Sequence, residues 1–345
     1  MRPSICKPAY AAAAIVTLLV LSQGQALASH VACGDTITQD TRLDSDLVNC
    51  PGDGIVIGSD NITLDLNGHT IDGVRGSGGD GVDNSAGHVG VTVERGTILD
   101  FLVGVRMEGA SENLVTGLTF HVGSGAYLID SDRNEISRNS LIDSDMSVHD
   151  RSDANLIRQN DIAGGEILIA SRSSAGPFPT ANLVERNNVH GGPFGLFVAQ
   201  AIDTRIERNN FFDNAGVAVE ITITGNGTQV LDNSVSDSGL GILVTQSGGV
   251  SVVRNQVSQN GQDGIMVSSA ATDTRVERNS ANGNGDDGID VDSPRTTITR
   301  NASNNNFDFG IEAAMGVTDG GGNQASGNNG GGTGQQCTSN ISCAP

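Results

Sequence analysis

Asn182-Leu-Val-Glu-Arg-Asn187, Thr204-Arg-Ile-Glu-Arg-Asn209 and Thr274-Arg-Val-Glu-Arg-Asn279 are three copies of one six-residue phrase. Looser copies stand at Asn134-Glu-Ile-Ser-Arg-Asn139, Asn155-Leu-Ile-Arg-Gln-Asn160 and Thr297-Ile-Thr-Arg-Asn301. The closing asparagine recurs at 139, 160, 187, 209, 233, 255, 279, 301 and 323, in steps of 21, 27, 22, 24, 22, 24, 22 and 22 residues. Within each phrase an apolar residue alternates with polar neighbours, which is the period of a strand and not of a helix.

A second phrase follows each first one. Gly195-Leu-Phe-Val198, Gly241-Ile-Leu-Val244, Gly264-Ile-Met-Val267, Gly288-Ile-Asp-Val291 and Gly310-Ile-Glu-Ala313 are representative, with Gly104-Val-Arg-Met107, Gly125-Ala-Tyr-Leu128 and Gly216-Val-Ala-Val219 as earlier copies. Their second and fourth residues are expected to face inward and their third outward. Strands that recur once per 22 residues, with connections too short for a helix, must stack in parallel on their counterparts in the next coil. The predicted fold is therefore all-β: a right-handed parallel β-helix of roughly eleven coils. The recurring asparagine should sit at a bend and bond the same amide one coil away, and the glycine should supply a backbone conformation denied to other residues. Leucine-rich and propeller repeats are excluded by the wrong pattern and by the absence of tryptophan.

The ends differ from the repeat. Arg2 and Lys7 precede the apolar run Ala11 to Leu21, and Ala26-Leu-Ala28 offers small residues for cleavage, so residues 1–28 are expected to be a secretory signal. No later stretch is apolar enough for a membrane span. Residues 29–54 read as an N-terminal cap, 55–319 as the β-helix and 320–345 as a glycine-rich closure. Cys6 leaves with the signal, and the remaining four cysteines are expected to pair locally, Cys33 with Cys50 and Cys337 with Cys343, since neither pair has histidines at zinc spacing. A secreted or extracytoplasmic location follows, in periplasm or at the cell surface.

Forty Asp and Glu oppose 19 Lys and Arg, for a net charge of −21. That balance argues against nucleic acid and anionic membranes as partners, while local arginine clusters can still receive a carboxylate sugar.

The string Leu64-Asp-Leu-Asn-Gly-His-Thr-Ile71, followed by the asparagine-marked repeats, resembles the pectate-lyase-like β-helix superfamily. Within it the chain is most similar to NosD-type proteins and to the repeats of carbohydrate-binding proteins and sugar hydrolases, over roughly residues 33 to 325. The resemblance implies the fold and a polysaccharide partner, and leaves the activity open. Several family signatures are missing: the polygalacturonase set, in which Asp286-Asp287 stands without partners, the Asp-Pro-His-Asp string of mannuronan epimerases, and any lysine after Lys7. Copper delivery would want clustered Met, His or Cys, and Met107, Met146, Met266 and Met315 are scattered.

On such a scaffold a saccharide lies along one sheet, so the outward residues of successive coils form the site. In order these are Arg106, Tyr127, His149, Leu168, Phe197, Ala218, Leu243, Met266, Asp290 and Glu312, with His149 taken from the aberrant copy Ser147-Val-His-Asp150. Arg106, Tyr127 and His149 are the catalytic candidates, because proton abstraction beside a uronate carboxylate needs a cation, a base and an acid. Asp143, Asp145 and Asp150 flank the histidine and could orient its ring or hold a cation. Asp145, Phe197, Asp290 and Glu312 are candidates for substrate binding. Asp286, Asp287, Asp290 and Asp292, near Asp263, Asp308 and Glu312, either form a solvated acidic edge, share a proton or bind Ca²⁺. Gly76-Ser-Gly-Gly-Asp-Gly-Val-Asp83 is another candidate calcium loop. The function expected is binding or modification of polysaccharide, by a lyase or C5-epimerase acting on acidic glycans, with a non-catalytic glycan-binding or structural surface module as the alternative.

Overall fold

The computed structural model describes residues 30–225 and 227–345. The expected signal segment, with Arg2, Cys6 and Lys7, lies outside the described residues. Every pairing between strands is parallel. One sheet contains thirteen strands stacked from Asp35–Ile37 to Ile311–Ala313, and the remaining strands stack in the same way on the other faces of each coil. A typical coil has three short strands, such as Leu156–Arg158, Asp161–Ala163 and Ile167–Ala170, separated by tight turns. The only helical element among the described residues is a π turn at Gly330–Gly334.

The interior follows from alternation. The column Ile55, Val82, Val105, Ala126, Met146, Ile167, Leu196, Val219, Ile242, Ile265, Ile289 and Ile311 runs in register along the thirteen-stranded sheet, and each member is fully buried. Branched side chains suit a pleated surface that is packed on one side. At the bend between the other two strands of each coil, Asn139 to Asn323 form an unbroken amide ladder, each side-chain amide donating to the Oδ1 of the next coil at 3.0 to 3.3 Å. Each amide also donates to a backbone carbonyl of the preceding coil, as Asn233 does to Ile206 at 3.0 Å. The ladder thereby satisfies backbone groups that a bend would otherwise leave unpaired and buried.

Two expectations need correction. The coils number about fourteen and not eleven, because segments lacking the marker asparagine also wind. Asp35–Ile37 already pairs with Ile55–Ile57, and at the other end Cys337 bridges to Ile311 while Cys343–Ala344 pairs with Asn323–Gln324. The repeated glycine is needed for space and not for backbone conformation. A Cβ on Gly241 would lie 2.2 Å from the Gly264 carbonyl oxygen, and one on Gly104 2.6 Å from that of Gly125. None of these glycines has a left-handed φ.

The disulfides Cys33–Cys50 and Cys337–Cys343 both form, in the first and last coils. Among the described residues no helix is long and apolar enough to cross a membrane.

Candidate functional site

The outward row of the thirteen-stranded sheet reads Asp83, Arg106, Tyr127, Ser147, Leu168, Phe197, Glu220, Leu243, Met266, Asp290 and Glu312. Two positions differ from the expected row. Ser147 opposes Tyr127 in place of His149, and Glu220 opposes Phe197 in place of Ala218. In both coils the inward pair lies elsewhere along the chain: Met146 with Val148, and Val219 with Ile221. Ala218 occupies the position where other coils carry glycine and is fully buried. His149 pairs with Ile129 and Ala170, two residues further along its strand. A two-residue slip preserves the face, so His149 still points out of the same sheet.

Its ring packs against Tyr127, with centroids 5.0 Å apart. On the other side of Tyr127 the Arg106 guanidinium lies 5.3 Å from the ring centroid, a cation–π contact. Arg106 is fixed by Asp80 in the preceding coil, through a close Nε contact and an Nη2–Oδ1 hydrogen bond of 3.2 Å. That hydrogen bond raises the guanidinium's already high pKa, whereas burial pushes the Asp80 carboxyl up against the pull of Arg106.

His149 is 7% exposed. Burial lowers its pKa, the hydrogen bond to the Ala170 carbonyl at 3.0 Å opposes this, and the net shift is downward. A neutral ring whose Nδ1–H is donated to that carbonyl leaves Nε2 as a free acceptor. Arg172, one coil on, is tied to Asp150 by an Nε–Oδ2 bond of 2.6 Å and by its own backbone N–H at 3.0 Å. Those bonds outweigh burial and hold the Asp150 carboxyl below its usual range. Arg172 also lies close enough to the Tyr127 hydroxyl to interact with it. The cluster thus gathers two ion-paired arginines, a phenol and a neutral imidazole.

Beside them, the glycine column is broken by two carboxylates. Asp145 stands where neighbouring coils have glycine, and Glu166 follows it one coil later, its backbone N–H donating to Asp145 Oδ1 at 3.0 Å. Burial raises the Asp145 carboxyl, and burial followed by the nearby Asp145 charge raises Glu166. Asp80 stood out in the sequence only as part of the candidate calcium loop and not as the partner of Arg106, and neither Glu166 nor Arg172 stood out at all. The interruption of the glycine column was the available signal for Glu166. An open cleft of about 630 Å³, lined by residues including Arg75, Asp100, Leu102, His121 and Asp143, borders this edge of the sheet at Gly123.

The remaining site candidates lie elsewhere. Phe197 is three strands beyond Tyr127. Asp290 and Glu312 oppose each other seven and eight strands beyond it, more than about 30 Å away at a coil spacing of ~4.8 Å. The carboxylates there form two groups that could hold a cation, Asp263 with Asp286 and Asp287, and Asp287 with Asp290 and Glu312, each with oxygens within 4.8 Å of one another. Asp292 belongs to neither group and is exposed. Burial carries Asp287 to about 8, helped by Glu312, and carries Asp290 to about 7, helped by Asp292. At neutral pH Asp287 is therefore mostly protonated and Asp290 partly so, unless a cation replaces the proton.

No curated protein sequence matches this chain. Among solved structures it resembles the A-module of the mannuronan C-5 epimerase AlgE6 of Azotobacter vinelandii, with a TM-score of 0.53 and 14% identity over 91% of each chain. The A-module of that organism's AlgE4 gives 0.50 and 13%, again over 91% of each chain. The family described as "Right handed beta helix region" matches residues 146–273 and 220–342, more than half of the sequence. The chain is a parallel solenoid of about 22 residues per turn whose larger part matches this family, and it belongs to the right-handed β-helix family.

Proposed function

We propose that the face around Tyr127 removes the proton beside the carboxylate of a uronate residue in an extracytoplasmic acidic glycan, as a lyase or C5-epimerase does. The observation that carries this reading is His149: buried, kept neutral, with Nδ1–H donated to a carbonyl and its ring against Tyr127. Arg106 and Arg172 supply positive charge for the sugar carboxylate, which lowers the cost of the carbanion that forms next to it. His149 Nε2 takes the proton. Tyr127 returns a proton to the opposite face in an epimerase or to the leaving oxygen in a lyase. Asp145 and Glu166, held toward their protonated forms, donate to sugar hydroxyls. The two disulfides support an oxidising, extracytoplasmic setting. Two structural neighbours bear the name of mannuronan epimerases, but at 13 and 14% identity that likeness concerns the fold, and the reading rests on the cluster.

The test is incubation in D₂O with polymannuronate, polygalacturonate and polyguluronate, following C5 deuterium incorporation by NMR and unsaturated ends by absorbance. His149→Gln and Tyr127→Phe should each lower incorporation at least a hundredfold. Absence of exchange on every uronate polymer, or full exchange in both variants, overturns the reading.

A further inference from the structure

A second surface of the solenoid carries charge of the opposite sign to the molecule as a whole. From Asn139 to Asn301 the residue before each ladder asparagine adopts a left-handed φ of 54° to 58°, and from coil to coil it is Arg138, Arg186, Arg208, Arg254, Arg278 and Arg300, interrupted only by Gln159 and Asp232; before Asn323 it is Gly322. The conformation does not call for arginine, since asparagine, aspartate and glycine tolerate this region best. The next turn of the same coils is also left-handed and uses Asp143, Gly164, Gly191, Asp213, Asp237, Gln259, Gly283 and Asn305, with no arginine among its members. The arginine row is therefore distinguished by its chemistry.

That chemistry is only partly spent inside the protein. Glu207 is nearly buried beneath Arg205 and Arg208, with contacts of 2.6 Å to each, and Glu277 lies in the same way beneath Arg275 and Arg278. Each trio keeps one positive charge, and the guanidinium groups are about half exposed. Arg138, Arg186 and Arg300 make no ion pair within 4 Å among the described residues. From residues 183–186 to 297–300, the strand and turn of six successive coils carry seven arginines against four carboxylates, a surplus of three positive charges in a chain of net −21. The row is one residue wide, straight, and about 34 Å long at ~4.8 Å per coil.

We infer that this arginine row is a binding track for a single linear polyanionic glycan laid along the solenoid axis. It lies on a different face from Tyr127 and does not depend on the reading of that site. Planar guanidinium forks match carboxylates two bonds at a time, and a single file of them fits one flexible chain bearing one acid group per sugar. A duplex nucleic acid would bring a broad array of phosphates against the acidic surroundings, and the molecule's overall charge opposes that.

The test uses polygalacturonate as probe, with its fully methyl-esterified form and duplex DNA for comparison, measured by affinity electrophoresis on the full secreted chain. The variant Arg186→Gln/Arg208→Gln/Arg254→Gln/Arg278→Gln places in the row a residue it already accepts at Gln159. Wild type should bind polygalacturonate with an affinity that falls as salt rises, and should ignore the ester. The quadruple variant should bind at least tenfold more weakly. Asp232→Arg, which fills the gap and releases Arg254 from the carboxylate that now pairs with it, should bind at least threefold more tightly, and this gain is readable even if the quadruple variant fails to fold. Unchanged binding in a folded quadruple variant, no gain in Asp232→Arg, or equal affinity for duplex DNA overturns the inference.

Discussion

Asn233→Ala is the most direct measure of what the ladder contributes. Asn233 donates to Asn255 Oδ1 and to the Ile206 carbonyl, both at 3.0 Å, and its Oδ1 accepts the Asn209 backbone N–H at 2.9 Å and the Asn209 amide at 3.0 Å. Alanine strands two donors of Asn209 and the Ile206 carbonyl in a site that water does not reach. Each stranded buried group costs ~1–3 kcal/mol, so after partial relaxation the loss should be roughly 3–5 kcal/mol. In a stack whose coils touch only their neighbours, the damage should stay local. Native-state hydrogen exchange should show amides of the coils around 209, 233 and 255 losing protection while those near 93 and 115 keep theirs. The control is Thr228→Val. Thr228 is fully buried with an unpartnered hydroxyl, and Val250 fills the equivalent place one coil on, so this change should be neutral or stabilising by up to about 1 kcal/mol. An Asn233→Ala loss under ~1 kcal/mol, or an equal loss in Thr228→Val, would refute the reasoning.

Asp287 and Asp290 make stability depend on pH with a definite sign. Both carboxyls are raised by burial, to about 8 and about 7, so the folded protein holds protons that the unfolded chain releases above about pH 4. The melting temperature should therefore fall as pH rises from about 4 to 8, and Asp287→Asn should flatten the profile. A Ca²⁺ ion held by Asp287, Asp290 and Glu312 would instead cancel the loss at pH 8, which titration with Ca²⁺ and a chelator distinguishes. Cys33→Ser/Cys50→Ser opens a link across 17 residues and should cost about 3 kcal/mol, seen as early unfolding of the first coils by hydrogen exchange.

The fold was legible because one asparagine every 22 residues and one alternating phrase are enough to force parallel stacking. The site was legible only in part. At Ser147 to Asp150 the reading matched the wrong four residues to the repeat, since Val148 is inward in either alignment and alternation cannot detect a shift of two. The same insensitivity put Ala218 in the place of Glu220. Asp80 joins the cluster from one coil, and Glu166 and Arg172 from the two ends of the strand Ile167–Ala170 in another. Contacts of that kind depend on side-chain direction and coil geometry, which a repeat pattern does not encode. Glu312 and Asp263 join the acidic groups because coils stack, whereas Asp292 is close in sequence and distant in coordination.

The steps of the ladder span 21, 22, 24 or 27 residues, yet its amide bonds keep nearly one length. The surplus in the 27-residue step is the excursion at 173–179, which leaves the stack after Arg172 and rejoins it at Thr180. Pitch is thus uncoupled from chain length. The molecule can accept new sequence at that bend, a loop for selectivity or a grafted epitope, without changing the distance between any two strands on either side.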